Sequence, residues 1–271
     1  MRPFPARFAL IFVLLLPSLA APLAAQELTL ANAEGFLLPA AGQIKTPTPA
    51  PPIPEHTGLK AMVKELGVDF RHLPSTENLM WVGIGTAGAF AAKPFDTTAN
   101  QNLSGPTLDK FFSVGAILGQ SYTLIPVSVA IYAIGRSRGN ARASHMGSDL
   151  IQSLLVAEVL TQALKQTTRR ERPDGSGANS FPSGHSSGTF AFATALERHF
   201  NWKYWLPAYA GATYVAMSRL HDNVHYASDV AAGAAVGIIA GRTVTRLGHR
   251  PFPVQAAAIP GGFMVAYVRE D

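Results

Sequence analysis

Three short clusters in this 271-residue chain carry side chains suited to holding and cleaving a tetrahedral anion. The middle one, "SFPSGHSS" at residues 180–187, admits two readings. Gly184 to Gly188 matches the serine-hydrolase elbow pattern, whereas Pro182-Ser183-Gly184-His185 could cradle an anion at a helix start. An elbow serine follows a buried apolar strand. The residues before Gly184, "SGANSFPS", make no strand, and the chain offers no doubly wound sheet. The cradle reading therefore stands: free backbone N–H groups at a helix start, with a glycine permitting close approach, suit a phosphate-like oxyanion. Ser183 could cap the helix, donate to the anion, or do both. His185 would stand over the bound group, where a proton donor is useful.

The flanking clusters are Lys165, six residues, then Arg172-Pro173, and Ser218-Arg219, five residues, His225, three residues, Asp229. Proline disfavours α geometry at the residue before it, so a helix should end just before Arg172, with Lys165 in its final turns. Arg169 and Arg170 read as surface charge. His225 and Asp229 have the i,i+4 spacing of one helical face. A carboxylate on one imidazole nitrogen fixes the tautomer and leaves the other nitrogen nucleophilic. His221 and Asp222 read as ordinary loop residues. Each cluster alone is weak, since basic residues favour helix C-termini, Ser-Gly is common at helix starts, and a His/Asp pair is more often a solvated pair or a metal site.

Together they put three cations and two histidines beside one anion-cradling loop. The pattern resembles the phosphatidic acid phosphatase type 2 / haloperoxidase superfamily, whose signature is Lys-x6-Arg-Pro, Pro-Ser-Gly-His and Ser-Arg-x5-His-x3-Asp. Every position of that signature is filled, in order, between residues 165 and 229. The resemblance implies that His225 attacks phosphorus, Asp229 orients His225, and His185 protonates the leaving alkoxide and then activates water. It implies that Lys165, Arg172, Ser183, the Gly184 amide and Arg219 hold the equatorial oxygens. Three fixed cations would do the work of a metal, so no metal and no cofactor are expected. The implied activity is hydrolysis of a phosphomonoester or a lipid phosphate. The alternatives are a vanadate-dependent haloperoxidase, opposed by the short chain, and a non-catalytic exported helical scaffold, opposed by the complete motif set. One departure is the loop between Pro173 and Pro182, only eight residues long and shorter than in much of the family, which leaves substrate choice open.

Six apolar, helix-prone stretches between residues 75 and 247 must position these clusters, so the fold class expected is all-α: a six-helix bundle within a domain at 58–250. One of the stretches, at 106–137, should break near Gly119 or Pro126. The remainder divides into a signal peptide (1–25), a Pro-rich linker (26–57) and a tail (251–271) with two β-prone runs around Pro260-Gly261-Gly262 that suggest a hairpin. Several of the apolar runs are shorter than the roughly 20 residues of a membrane span. An exported, periplasmic or envelope-associated protein, bound at most to a membrane surface, is expected rather than an integral one. There are no cysteines, so stability must come from the core. The net charge of +5 is not massed in a block, which argues against nucleic acid as a partner. Oligomeric state is left open.

Overall fold

The computed structural model describes residues 58–246 and, as backbone only, 254–259 and 262–267. The signal peptide and linker expected over 1–57 lie outside the described residues. Among those residues there are nine α-helices: α1 (Leu59–His72), α2 (Thr76–Ala92), α3 (Asp96–Leu103), α4 (Asp109–Leu118), α5 (Ser121–Ser137), α6 (Ala141–Thr168), α7 (Gly184–His199), α8 (Trp202–His221) and α9 (Ala227–Val244). In the tail, β1 (Val254–Ile259) pairs antiparallel with β2 (Gly262–Tyr267).

The expected count of six helices is corrected, for three local reasons. The mixed-charge α1 hides its apolar face, Leu66 and Phe70, which packs on the central cluster of Val156, Ala157, Ala191, Ala240 and Val244. The polar α3, "DTTANQNL", has no apolar period; it is held by tertiary contacts that bury Asp96 and Asn100. The 106–137 stretch is two helices, α4 and α5, parted at Gly119-Gln120, while Pro126 lies inside α5. At Gly119 a Cβ would sit 2.9 Å from His185 Cδ2, so the break brings a bare backbone against the histidine. Ser75 caps α2, its hydroxyl accepting from Asn78 N at 3.2 Å. Helix α6 stops at Thr168, earlier than Pro173 alone would require, with Arg169 in left-handed conformation at φ 44°.

Close approach of α7 and α9 unites two of the three clusters. Gly233, Gly237 and Gly241 recur every four residues along α9 and face α7: added Cβ atoms would meet Ser183 O at 2.5 Å, Ala191 N at 2.7 Å and Thr194 Cβ at 2.6 Å respectively. With the backbones this close, Ser183 N donates to Asp229 O at 3.0 Å and Ser186 Oγ to Val230 O at 2.8 Å. Overpacking such a contact costs about 1–3 kcal/mol. Gly237→Ala is therefore expected to lower the melting temperature by several degrees and to depress activity by parting the clusters. Gly211→Ala on α8, where a Cβ meets nothing within 4 Å, is the control expected to be tolerated in the same thermal melts.

The outer helices expose apolar side chains, among them Met80, Ile84 and Phe90 on α2, Phe111 on α4 and Val127 and Ile134 on α5. By length and composition, one helix among the described residues, α9, could cross a membrane, yet 67% of it is buried inside the fold. Residues 106–118 and 121–137 pass the same test only as a pair bent by 52°.

Candidate active site

Lys165 lies in the last turn of α6, buried, its ammonium donating to the Asn179 carbonyl. Burial, and then the Arg172 charge, lower its pKa to about 8. Arg172 sits on the exit loop, which folds back on itself: Arg172 N donates to Gly177 O at 2.9 Å and Gly175 N to Arg172 O at 3.0 Å. Its Nε is buried with no hydrogen-bond acceptor among the described residues. Farther along, Ser180 N donates to Arg170 O at 2.9 Å, so the loop closes onto the end of α6.

Ser183 is the N-cap of α7: its hydroxyl accepts from Ser186 N at 3.4 Å and its carbonyl from Ser187 N at 3.0 Å. The Gly184 and His185 amides precede these in the first turn, where a helix lacks internal acceptors. The atom nearest an added Cβ at Gly184 is the Thr161 methyl at 3.8 Å, so the packing of the protein itself does not demand glycine there. His185 Nε2 lies 3.3 Å from Ala116 O. A carbonyl only accepts, so Nε2 carries the proton and Nδ1 is left to exchange one. Burial, then the charges of Arg219 and His225, lower the His185 pKa to about 4, so its ring is neutral at pH 7.

Ser218 and Arg219 end α8, both buried. Arg219 donates to Ser218 Oγ through Nε at 3.1 Å and Nη2 at 3.0 Å, and pairs with Asp222 Oδ2 at 2.7 Å. Asp222 is thus no ordinary loop residue but the partner of a motif arginine. His221 likewise is anchored, to Leu103 O at 2.8 Å and Asp109 at 3.1 Å. His225 does not share a helical face with Asp229, because it lies in the loop before α9, while Asp229 is in the first turn of that helix. The loop is pinned from α3, where Asn100 Nδ2 donates to His225 O at 3.0 Å. His225 Nδ1 faces Asp229 Oδ2 at 3.8 Å, an electrostatic contact just beyond hydrogen-bond length. Burial, reinforced by Lys165 and Arg172 and opposed by Asp229, lowers the His225 pKa and favours the neutral ring.

Arg170, read from the sequence as surface charge, belongs to this site. Its Nη1 donates to Asp229 Oδ1 and to Ser228 Oγ, each at 2.7 Å, and its Nη2 donates to Asp96 Oδ2 at 2.7 Å. Its guanidinium carbon lies 4.0 Å from the Tyr226 ring centroid. Asp96 in turn accepts from Ser228 N at 2.8 Å. Asp229, fully buried, also accepts from Ser180 Oγ at 2.5 Å and Tyr226 N at 2.9 Å. Burial alone would raise its pKa; contacts with His225, Ser180 and Tyr226, then the Arg170 charge, outweigh burial and keep it ionised. Asp96, Arg170, Ser180 and Asp222 escaped the sequence reading because their partners are distant in the chain or outside the spaced pattern.

The eight residues singled out from sequence therefore lie at the ends of α6, α7, α8 and α9 or, for Arg172 and His225, in the loops that join them, and sense one another's charges: His225 those of Lys165 and Arg172, His185 those of Arg219, His225 and Arg172. Such an arrangement can bind an oxyanion and offer it a neutral imidazole nucleophile. Residues 147–252, which include all three clusters, match the model of the PAP2 superfamily.

Among characterised proteins, the segment is similar to the lipid A 1-phosphatase of Porphyromonas gingivalis, 40% identical over 99 residues (32% of this chain and 22% of that protein). It is also similar to the lipid A 1-phosphatases of Rhizobium etli and Rhizobium johnstonii, each 32% identical over 145 residues. These alignments cover 44% of this chain and 62% and 59% of those proteins, so the chain spans less than two thirds of each relative. Among solved structures it resembles Aquifex aeolicus LpxE, with 26% identity, 54% of this chain and 90% of that chain covered, and a TM-score of 0.47. A second is the transmembrane PAP2 type phosphatidylglycerolphosphate phosphatase of Bacillus subtilis, with 22% identity, 68% and 92% covered, and a TM-score of 0.46.

Lys165 gives the site a testable alkaline limit. The ammonium is present below its pKa of about 8 and lost above it, and kcat/KM reports groups of the free enzyme. On a phosphate ester, kcat/KM is expected to fall as pH rises through about 8. Lys165→Arg, whose guanidinium stays charged, should move that limb upward in a pH–rate profile.

Proposed function

We propose that the chain is a phosphatase that cleaves lipid phosphate monoesters without a metal, through a phosphohistidine on His225. The observation that carries this reading is the convergence of two neutral imidazoles and three cations, Lys165, Arg172 and Arg219, at one junction of helix ends. The orphan Arg172 Nε, a buried donor, is a group that a phosphate oxygen would satisfy. Asp229 faces Nδ1 of His225, so Nε2 is the nucleophile: it forms a bond to phosphorus as the ester P–O bond breaks. His185 is neutral in the free protein because burial and surrounding cations oppose its protonation. A bound phosphate dianion offsets those cations and lets Nδ1 carry the proton that the leaving alkoxide takes. His185 then accepts a proton from water, water oxygen attacks phosphorus, and the P–N bond breaks. Lys165, Arg172, Ser183, the Gly184 amide and Arg219 hold the remaining oxygens.

The lipid class is supported by the relatives named lipid A 1-phosphatase, by the exposed apolar side chains of α2, α4 and α5, and by an apolar cavity of about 520 Å³ between α2 and α9, beside Arg170 and Phe181. We take residues 1–25 to be an export signal, 26–57 a linker and 58–250 the catalytic domain. The enzyme would then act at a membrane surface of the cell envelope, with no nucleic-acid partner.

The test is phosphate release by the full chain, with and without detergent and with chelator present, from lipid A 1-phosphate, a short-chain phosphatidate and an aryl phosphate. Turnover of the lipids exceeding that of the aryl phosphate is expected. Silence on all three would leave a scaffold, and bromide oxidation by vanadate-loaded protein with peroxide would make it a haloperoxidase. General acid catalysis contributes about 10²–10⁴-fold, so His185→Ala should slow poor leaving groups by that factor and activated aryl phosphates far less. Equal losses on both would remove the acid role.

A further inference from the structure

At the far end of α6 and α7 from the phosphate motifs, three side chains meet below the surface. His145 and Asp149 stand one turn apart on α6, and His199 is the last residue of α7. They are 6%, 5% and 8% exposed. Asp149 Oδ2 lies 2.9 Å from His199 Nε2, its Oδ1 lies 3.5 Å from His145 Nε2, and one ligand atom from each residue falls within 4.8 Å of the others. Lys165 follows His145 by twenty residues on the same helix, about 30 Å along the axis. This cluster is therefore remote from the chemistry at His225.

Two imidazole nitrogens and a carboxylate are a ligand set for Zn²⁺ and neighbouring divalent ions. A tetrahedral ion with ligands at about 2.0–2.1 Å has ligand–ligand edges of about 3.3–3.4 Å. The two His–Asp149 separations, 2.9 and 3.5 Å to different carboxylate oxygens, lie close to that edge. Drawing the two imidazoles together from at most 4.8 Å needs a shift of about 1.4 Å to reach the same edge, within the reach of ring rotation. Helix α1 adds negative charge behind the cluster. Buried Asp69 senses the charges of Asp149 and Glu65, and Glu65 Oε2 lies 3.5 Å from Gln152 Nε2 of α6. Three helices thus bring carboxylates and imidazoles to one buried spot, where a divalent cation would offset their charge.

We propose that His145, Asp149 and His199 form a structural binding site for a divalent transition-metal ion of the Zn²⁺ type, clamping α6 to α7, with water or an α1 carboxylate as fourth ligand. In a chain without cysteine it supplies the cross-link that a disulfide would otherwise provide. The full chain, stripped with chelator, is titrated with Zn²⁺ by calorimetry and with Co²⁺ by visible absorption. One ion per chain is expected, with a tetrahedral Co²⁺ spectrum and a melting temperature raised by about 5–10 °C at a hundredfold excess over Kd. Binding should vanish in Asp149→Asn and His199→Gln and persist in His225→Ala, which separates this site from the phosphate site. Absence of stoichiometric binding, or binding that survives Asp149→Asn and His199→Gln, would overturn the proposal and leave a hydrogen-bonded clasp only. If those variants fail to fold, the wild-type chain decides: Zn²⁺ should protect His145 and His199 from diethylpyrocarbonate, read by peptide mass mapping, and lack of protection would also overturn it. None of these readouts uses turnover, so they stand apart from the proposed phosphatase activity.

Discussion

His225→Ala is expected to lower kcat/KM on any phosphate ester by about 10⁴-fold or more, because no other described group in the site is placed to form the proposed covalent intermediate. His185 is held by Ala116 O on one nitrogen, and burial and neighbouring cations push its pKa down to about 4. The hydroxyls of Ser186 and Ser187 are engaged within the protein: Ser186 donates to Val230 O and Ser187 bonds Thr161 at 2.7 Å. The variant keeps Lys165, Arg172 and Arg219, so inorganic phosphate should still raise its melting temperature. Retained phosphate binding with lost turnover separates a missing nucleophile from a collapsed site. Acid quenching of the wild type with labelled substrate should trap phosphoprotein that the variant does not form. Residual activity within tenfold of wild type would remove His225 from the nucleophile's role.

Arg170→Ala should cost about 3 kcal/mol of stability, the low end for breaking a buried ion pair from one side, since its side chain is 29% exposed while Asp229 is fully buried. The substitution strands two carboxylates at once, Asp229 and Asp96. A drop in melting temperature of roughly 10 °C is expected. Turnover should fall as well, by about 10²-fold, the usual consequence of misplacing a reacting group by an ångström. Asp96→Asn, combined with Arg170→Ala in a double-mutant cycle, measures the coupling. Additivity of the two substitutions would show that Asp96 and Arg170 do not act as a unit. A melting temperature unchanged in Arg170→Ala would return the arginine to the surface role its sequence context suggests.

These two residues mark the boundary between what could be read from the chain and what could not. His225, His185, Lys165, Arg172 and Arg219 were legible because each lies in a short pattern of fixed spacing whose residue types suit one anion. Arg170 carries no such pattern; beside Arg169 and Glu171 it looks like solvated charge, and its meaning comes from Asp96, 74 positions earlier, and Asp229, 59 positions later. Helix α3 was illegible for the same reason. Its eight residues have no apolar period, and contacts of Asp96 with the first turn of α9 and of Asn100 with the α8–α9 connection hold it. The His225–Asp229 spacing suggested a shared helical face. The helix instead begins after His225, with Asp229 accepting the Tyr226 amide in its first turn, as acidic residues do at helix starts.

What the amino-acid order determined by itself was the inventory of reactive groups and the helical, cysteine-free framework, because spacing, proline and apolar runs act over a few residues. The tertiary structure decided which of those groups share a site and how each is charged. Those properties depend on burial and on neighbours from other helices, brought together where glycines let α9 lie against α7.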